Sequence, residues 1–223
     1  MSGIGVYDRG RFDSEGSTYV TPAVYNLVMG LVLCWGFGVN WWMVTHLDPQ
    51  LVDGIGPSLF LLGYFISCMA GVCLFNFSSN AFVSFIGYNL VVVPFGVVIH
   101  MTVRQYDPAL VVDAVRVTGL VTGIMMALGT LFPRFFQSIA KALLVALLAV
   151  VVVELFEVLV LGMHHDILDW VVALIFCGYV GVDWGRANNI PKTLDNAVDS
   201  AAALYMDIIN LFLRILSILG KKE

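Results

Sequence analysis

Residues 139–162 read IAKALLVALLAVVVVELFEVLVLG, 24 positions with only three charges, Lys141, Glu154 and Glu157. A run of about 18 or more mostly apolar residues is long enough to cross the roughly 30 Å hydrocarbon core of a bilayer as a helix. Six further runs of the same character, bounded by charge, Gly, Pro or Asn, occupy 22–46, 56–76, 80–103, 109–132, 167–183 and 200–219. The sequence therefore predicts an all-α, polytopic membrane protein of seven transmembrane helices. Residues 1–21 read as a cytosolic tail and 22–220 as a single transmembrane domain.

Composition points the same way. Of 223 residues, 60% are apolar and 12% charged, where an ordinary soluble domain carries about 25% charge. The net charge of −5 is too thinly spread to form a basic nucleic-acid face. Disorder and a disulfide-rich scaffold are excluded by the same numbers, and a β-barrel would alternate in segments of about ten residues. The tail holds Arg9 and Arg11 but no short apolar stretch with a small-residue cleavage site, so the first run is expected to be a retained helix. Lys and Arg favour a cytosolic N-terminus and an outside C-terminus, with Arg9, Arg11, Arg134, Lys141, Arg186 and Lys192 inside against Arg104, Lys221 and Lys222. Cys34, Cys68, Cys73 and Cys177 all fall in spans and read as free thiols.

Helices in lipid associate through close packing of small residues. Three stripes fit that pattern: Gly30, Cys34 and Gly38; Gly63, Ser67 and Gly71; Gly119, Gly123 and Ala127. Each is expected to mark a tight interhelical contact. Pro94 is expected to bend the third span. Asn40, Asn76 and Asn89 read as interhelical hydrogen bonders, and His100 as an interfacial residue.

Nine charged residues lie in the spans: Asp113, Arg116, Lys141, Glu154, Glu157, Asp169, Asp183, Asp207 and Arg214. Near a helix centre each costs on the order of 2.5–3.5 kcal/mol, so an unpaired one needs a role. Lys141 and Asp169 sit close to helix ends and can snorkel. On the seventh run, Ser200, Ala203, Asp207, Asn210, Arg214 and Ser217 are spaced 3, 4, 3, 4, 3 and form one seam, which must face protein or water. Asp183 closes the sixth run, at a depth similar to Asp207 on its antiparallel neighbour. Two carboxylates that meet in a low dielectric hold one proton between them and titrate as a unit. Once that proton leaves, they become hard oxygen ligands suited to Ca²⁺. The plainer reading makes Asp183 a helix cap and gives Asp207 a donor elsewhere.

Glu154 and Glu157 share a face, and Arg116 matches Glu157 in depth. A buried Arg116–Glu157 pair is expected, joined by Asp113, with lining of an outer cation path as the alternative. His164, His165, Asp166 and Asp169 form a loop with metal-compatible side chains, but adjacent histidines rarely hold one ion without further partners.

The segments GYVGVDWGRA at 178–187 and ALYMDIINLFLRILSILG at 203–220 resemble the transmembrane Bax inhibitor motif family, whose seventh helix carries a similar LYLDxINLF run. VVDAVRVTGLVTGIMMAL at 111–128 loosely resembles its fourth helix. The resemblance implies a seven-helix fold with the C-terminal helix central in the bundle, and a pH-dependent calcium leak. It places the pH sensor and cation gate on Asp183 and Asp207, which are also candidate calcium ligands. Calcium ions, protons and the lipid bilayer are the expected partners, with no cofactor, no nucleic acid and no enzymatic reaction. Residues 56–76 carry no charge, whereas some relatives place there an Arg that holds the pair and an acid that closes the outer side. The short loops and tails suggest a bacterial inner membrane.

Three other functions bear on these residues. An intramembrane aspartyl protease would need Gly-x-Gly-Asp, but Leu204, Tyr205 and Met206 precede Asp207. A proton-coupled antiporter would suit the carboxylate pair, although no inverted repeat is visible. A membrane scaffold would suit the small-residue faces but leaves the polar seam without a role.

Overall fold

The computed structural model describes residues 19–50, 54, 56–157, 160 and 166–221. Arg9, Arg11, His164, His165 and Lys222 lie outside the described residues, as does the expected tail up to residue 18, while Asp166 and Asp169 of the expected histidine loop begin a helix. Among the described residues, seven long α-helices follow one another: α1 Pro22–His46, α2 Pro57–Phe77, α3 Ala81–Val103, α4 Pro108–Leu131, α5 Pro133–Phe156, α6 Asp166–Asn189 and α7 Leu194–Gly220. All seven are long and apolar enough to cross a membrane.

Local chemistry explains where they begin. Four start with proline, at Pro22, Pro57, Pro108 and Pro133, where the missing N–H would have had no helical partner anyway. Thr21, Asn80 and Asp107 each accept a hydrogen bond from a first-turn backbone N–H, the standard relief for the orphan donors of a helix start. Thr193 Oγ1 does the same for the Asn196 N–H at 3.1 Å. The helix α3 runs on through Pro94.

Three boundaries depart from the apolar runs. Helix α5 begins at Pro133 rather than 139, because proline is at home in a first turn and Arg134 and Gln137 tolerate one. Helix α6 continues to Asn189, so Asp183 lies six residues inside its end and caps nothing. Helix α7 starts at Leu194 rather than 200, since its polar first turns find partners in protein. Asp207 therefore sits about 20 Å along a helix of about 40 Å, near its middle rather than close to one end.

Contacts divide the chain into two compact units. The first holds α1, α2, α3 and α7 as far as Tyr205; the second holds α4, α5, α6 and α7 from Met206. In the first, α2 and α3 interlock at Gly71 and Gly87. A β-carbon on Gly71 would lie 2.5 Å from the Gly87 carbonyl oxygen. Tyr25, Tyr88 and Tyr205 are fully buried. Tyr88 and Tyr205 meet edge to face with ring centroids 5.4 Å apart, a contact type that adds about 0.5–1.5 kcal/mol beyond area burial. Polar ends are satisfied inside: Tyr25 and Ser200 hydroxyls bond at 2.8 Å, Ser84 donates to Asp195 at 2.7 Å, and Asn40 donates to the Tyr205 hydroxyl.

In the second unit, α4 and α6 approach at Gly129, where an added β-carbon would lie 2.5 Å from the Gly181 carbonyl oxygen. A β-carbon on Gly181 would strike the Phe136 ring of α5. These are not the stripes expected from the sequence. Of those, Gly71 is tightly packed and Ser67 bonds the Leu90 carbonyl at 2.8 Å, but Gly30, Gly38, Gly63, Gly119 and Gly123 have open space over their α-carbons. Spacing identifies helix faces that permit close approach; it does not say which neighbour arrives. The helix α5 turns Leu144, Val145, Leu148 and Val152 outward, which suits a lipid-facing surface. Helix α7 is the most buried of the seven over its most apolar stretch.

Candidate functional site

The second unit carries two charged centres, both built on α6 and α7. In the first, the carboxyl groups of Asp183 and Asp207 lie within hydrogen-bonding reach of each other. Two carboxyl groups can bond this way only if one proton is present between them. Asp207 is 6% exposed, and its Oδ2 has no hydrogen-bond partner, so the pair retains an uncommitted acceptor in a low-dielectric place. Arg186, one turn beyond Asp183, reaches Asp183 Oδ1 with Nη2 at 3.3 Å. Tyr179, one turn before it, lies close enough to both carboxylates to feel their charge.

Arg186 answers a question that the chargeless second run leaves open. The cation beside the pair comes from α6 itself, at i, i+3 from Asp183. Sequence reading placed Arg186 in a loop because the apolar run stops at Asp183; the continuation of α6 to Asn189 turns it onto the same helical face. The spacing Asp-x-x-Arg was the available signal.

The second centre surrounds Asp169, whose burial is almost complete at 1% exposure. Its Oδ1 accepts from Arg214 Nη1 at 2.7 Å. Its Oδ2 accepts from the Ser217 hydroxyl and from Lys221 Nζ, each at 2.7 Å. Arg214 also donates through Nη2 to Glu154 Oε2 at 2.9 Å, and Lys221 pairs with Asp166 at 2.8 Å. Burial works against the charge on Lys221, but its hydrogen bonds to Asp166 and Asp169 outweigh that and hold its ammonium above the usual lysine range.

This arrangement corrects several expectations. Asp169 does not snorkel; it is the buried hub. Glu154 is taken by Arg214 of α7 rather than by α4. Arg116 lies beside Asp113 on its own helix at 3.0 Å, not against Glu157, which is buried. Asn210 turns its amide onto the Met206 carbonyl at 2.7 Å, within its own helix. His100 is buried rather than interfacial, and neither ring nitrogen has a hydrogen-bond partner. The asparagines divide: Asn89 accepts from Trp35 of α1 at 2.9 Å, Asn40 bonds Tyr205, and Asn76 donates to Val72 of its own helix. The cysteines are free thiols. The seam of α7 extends one step further than was read, through Ser217 to Lys221.

Among the described residues, no group of three or more His, Cys, Asp or Glu side chains is placed to hold a metal ion. Two carboxylates and a guanidinium cannot make the six-to-eight-oxygen shell of a resident Ca²⁺. The Asp183–Asp207 pair is suited to exchanging a proton, or to meeting a cation in passage.

A family model described as inhibitor of apoptosis-promoting Bax1 matches residues 18–223. An uncharacterized protein from Helicobacter pylori is 31% identical over 143 residues, which cover 63% of this chain and 58% of that protein. An uncharacterized membrane protein from Streptococcus pyogenes is 27% identical over 135 residues, covering 57% of this chain and 59% of that one. The chain thus spans less than two thirds of the length of the curated relatives that it matches.

Proposed function

We propose a transport function on the premise that the chain belongs to the Bax1-I family, inhibitor of apoptosis-promoting Bax1, and is an integral membrane protein. The function is a pH-dependent calcium leak, with calcium as cargo and the Asp183–Asp207 pair as its proton-sensitive closure. Its setting is a bacterial inner membrane, with the N-terminus cytosolic and the C-terminus outside.

One observation carries the reading: a carboxyl pair on two helices, within hydrogen-bonding reach of each other, with the Arg186 guanidinium beside it. While one proton is shared, the pair ties α6 to α7. Losing it sets two anions against each other, with only Arg186 to offset them, and offers oxygen ligands to a cation. Asp207 Oδ2 has no hydrogen-bond partner and is available to a proton or a passing cation.

The test is Ca²⁺ flux into liposomes containing the purified protein, measured across pH for wild type and Asp207→Asn. The amide keeps the shape of the carboxyl group and can hydrogen-bond without a shared proton. The expected result is a pH-dependent flux in the wild type and a nearly flat profile in the variant. Superimposable profiles would remove the pair from the mechanism.

A further inference from the structure

Every charged centre described so far is turned into protein. The pair Asp113–Arg116 on α4 is not. Arg116 Nη1 donates to Asp113 Oδ1 at 3.0 Å, yet the two side chains are 74% and 58% exposed, Arg116 the more so. Arg116 lies eight residues from Pro108, about 12 Å along a helix about 36 Å long, whose length exceeds a 30 Å hydrocarbon core by only a few ångströms at each end. An ion pair displayed at that depth faces lipid unless another polar surface covers it, and lipid is a poor solvent for it.

The same face continues along the helix. Gly119, Leu120, Gly123 and Ala127 follow Arg116 at three- and four-residue steps, and all are exposed. Gly119 and Gly123 have nothing within 4 Å of where a β-carbon would stand, so a second backbone can come close there. The ion pair specifies what that backbone should carry. A partner must offer a base within reach of Asp113 and an acid within reach of Arg116, the two one helical turn apart. A second copy of this chain, inserted in the same direction, offers both by construction. A two-fold axis along the membrane normal sets Arg116 of each copy diagonally across from the other copy's acid.

We propose that this protein forms a two-fold dimer through α4, with Asp113 and Arg116 exchanging partners across the axis above a close crossing at Gly119 and Gly123. The proposal is independent of what the Asp183–Asp207 pair does, since it involves neither residue and its readout is association rather than flux.

The test uses full-length protein labelled with donor and acceptor dyes in liposomes, with energy transfer followed as the protein-to-lipid ratio is lowered. Wild type should dissociate on dilution along a monomer–dimer curve. Gly123→Ile, whose β-carbon would have nothing within 4 Å, should weaken association about tenfold or more. Arg116→Asp sets acids against acids and should weaken it as well, while Asp113→Arg combined with Arg116→Asp restores a self-complementary pair and should recover it. If Arg116→Asp does not fold, Gly123→Ile and the double exchange carry the test together. A wild type that is monomeric at every ratio would overturn the proposal, as would association indifferent to Gly123→Ile. It would also be overturned by a monomer whose Arg116 responds to the content of anionic lipid, since headgroups would then be what covers this face.

Discussion

Helices α6 and α7 meet over two charged centres that are opposites in design. Around Asp169, both carboxylate oxygens are committed, to Arg214, Ser217 and Lys221, and Arg214 reaches on to Glu154. Around Asp207, two acids face each other, Arg186 lies beside Asp183 at 3.3 Å, and one oxygen of Asp207 is unbonded. In the first centre every acid is paired with a fixed cation, Glu154 and Asp169 with Arg214, and Asp166 and Asp169 with Lys221. The second is balanced only while a proton stays. On the proposed function, one contact holds two helices together and the other responds.

The comparison breaks most sharply at Asp169. Asp169→Asn removes the buried charge shared by Arg214 and Lys221, leaving the half-buried guanidinium with Glu154 and the ammonium with Asp166. Breaking a buried pair from one side costs about 3–5 kcal/mol, so the detergent-solubilised protein should melt much earlier or fail to accumulate. Asp207→Asn should by contrast leave the melting temperature almost unchanged. Equal losses in the two variants would erase the distinction between holding and responding.

A subtler change acts on the cation of the responsive centre. Arg186→Gln removes a partly exposed partner, worth about 1 kcal/mol or less in stability. It should displace the midpoint of the pH profile of Ca²⁺ flux without flattening it, because both carboxyl groups remain. A flattened profile would mean that Arg186, rather than the pair, is the titrating element's essential partner.

The smallest effect separates two lysines outside the spans. Lys221 titrates above the usual lysine range in the folded protein, so its contribution to stability is complete at neutral pH and is lost as pH rises through that elevated value. Lys192 is held below the usual value of 10.5 by burial alone, although its ammonium lies 4.5 Å from the Tyr25 ring centroid. Its charge therefore costs stability at neutral pH, and that cost is relieved as pH rises from its lowered value towards 10.5. In alkaline melting curves referenced to wild type, Lys221→Met should become less harmful as pH rises, and Lys192→Met less beneficial. Parallel curves for the two would contradict the assignment.

Much of this was legible in the sequence because hydropathy reports depth. Helices α1 and α3 fall within a residue of the runs 22–46 and 80–103, but the seam through Asp207 is not the most buried face of α7: Leu204, Leu211 and Ile215 are buried, while Asn210, Arg214 and Ser217 are half-buried. What hydropathy does not report is angle about the helix axis. Arg116 and Glu157 match in depth, but Arg116 points outward, while Glu154 faces an arginine on α7 whose part in the same seam had already been noticed. Depth misled again where polar residues continue a helix: Asp183 looked terminal, and Arg186 looked like loop, because the apolar run ended before the hydrogen-bonded one. Asp169 was hidden for the same reason, its three donors lying in the continuation of the seam through Arg214 and Ser217 to Lys221.

The crossing of Gly129 and Gly181 bears on how the carboxyl pair can part. Two residues before Asp183, α6 has its carbonyl oxygen pressed to the α-carbon side of Gly129 and its own α-carbon beneath Phe136. A slide or a roll of α6 at that height would drive it into one neighbour or the other. Asp183 is therefore carried on a fixed jaw, and whatever travel opens the clasp belongs to Asp207 and the side chains that line its helix.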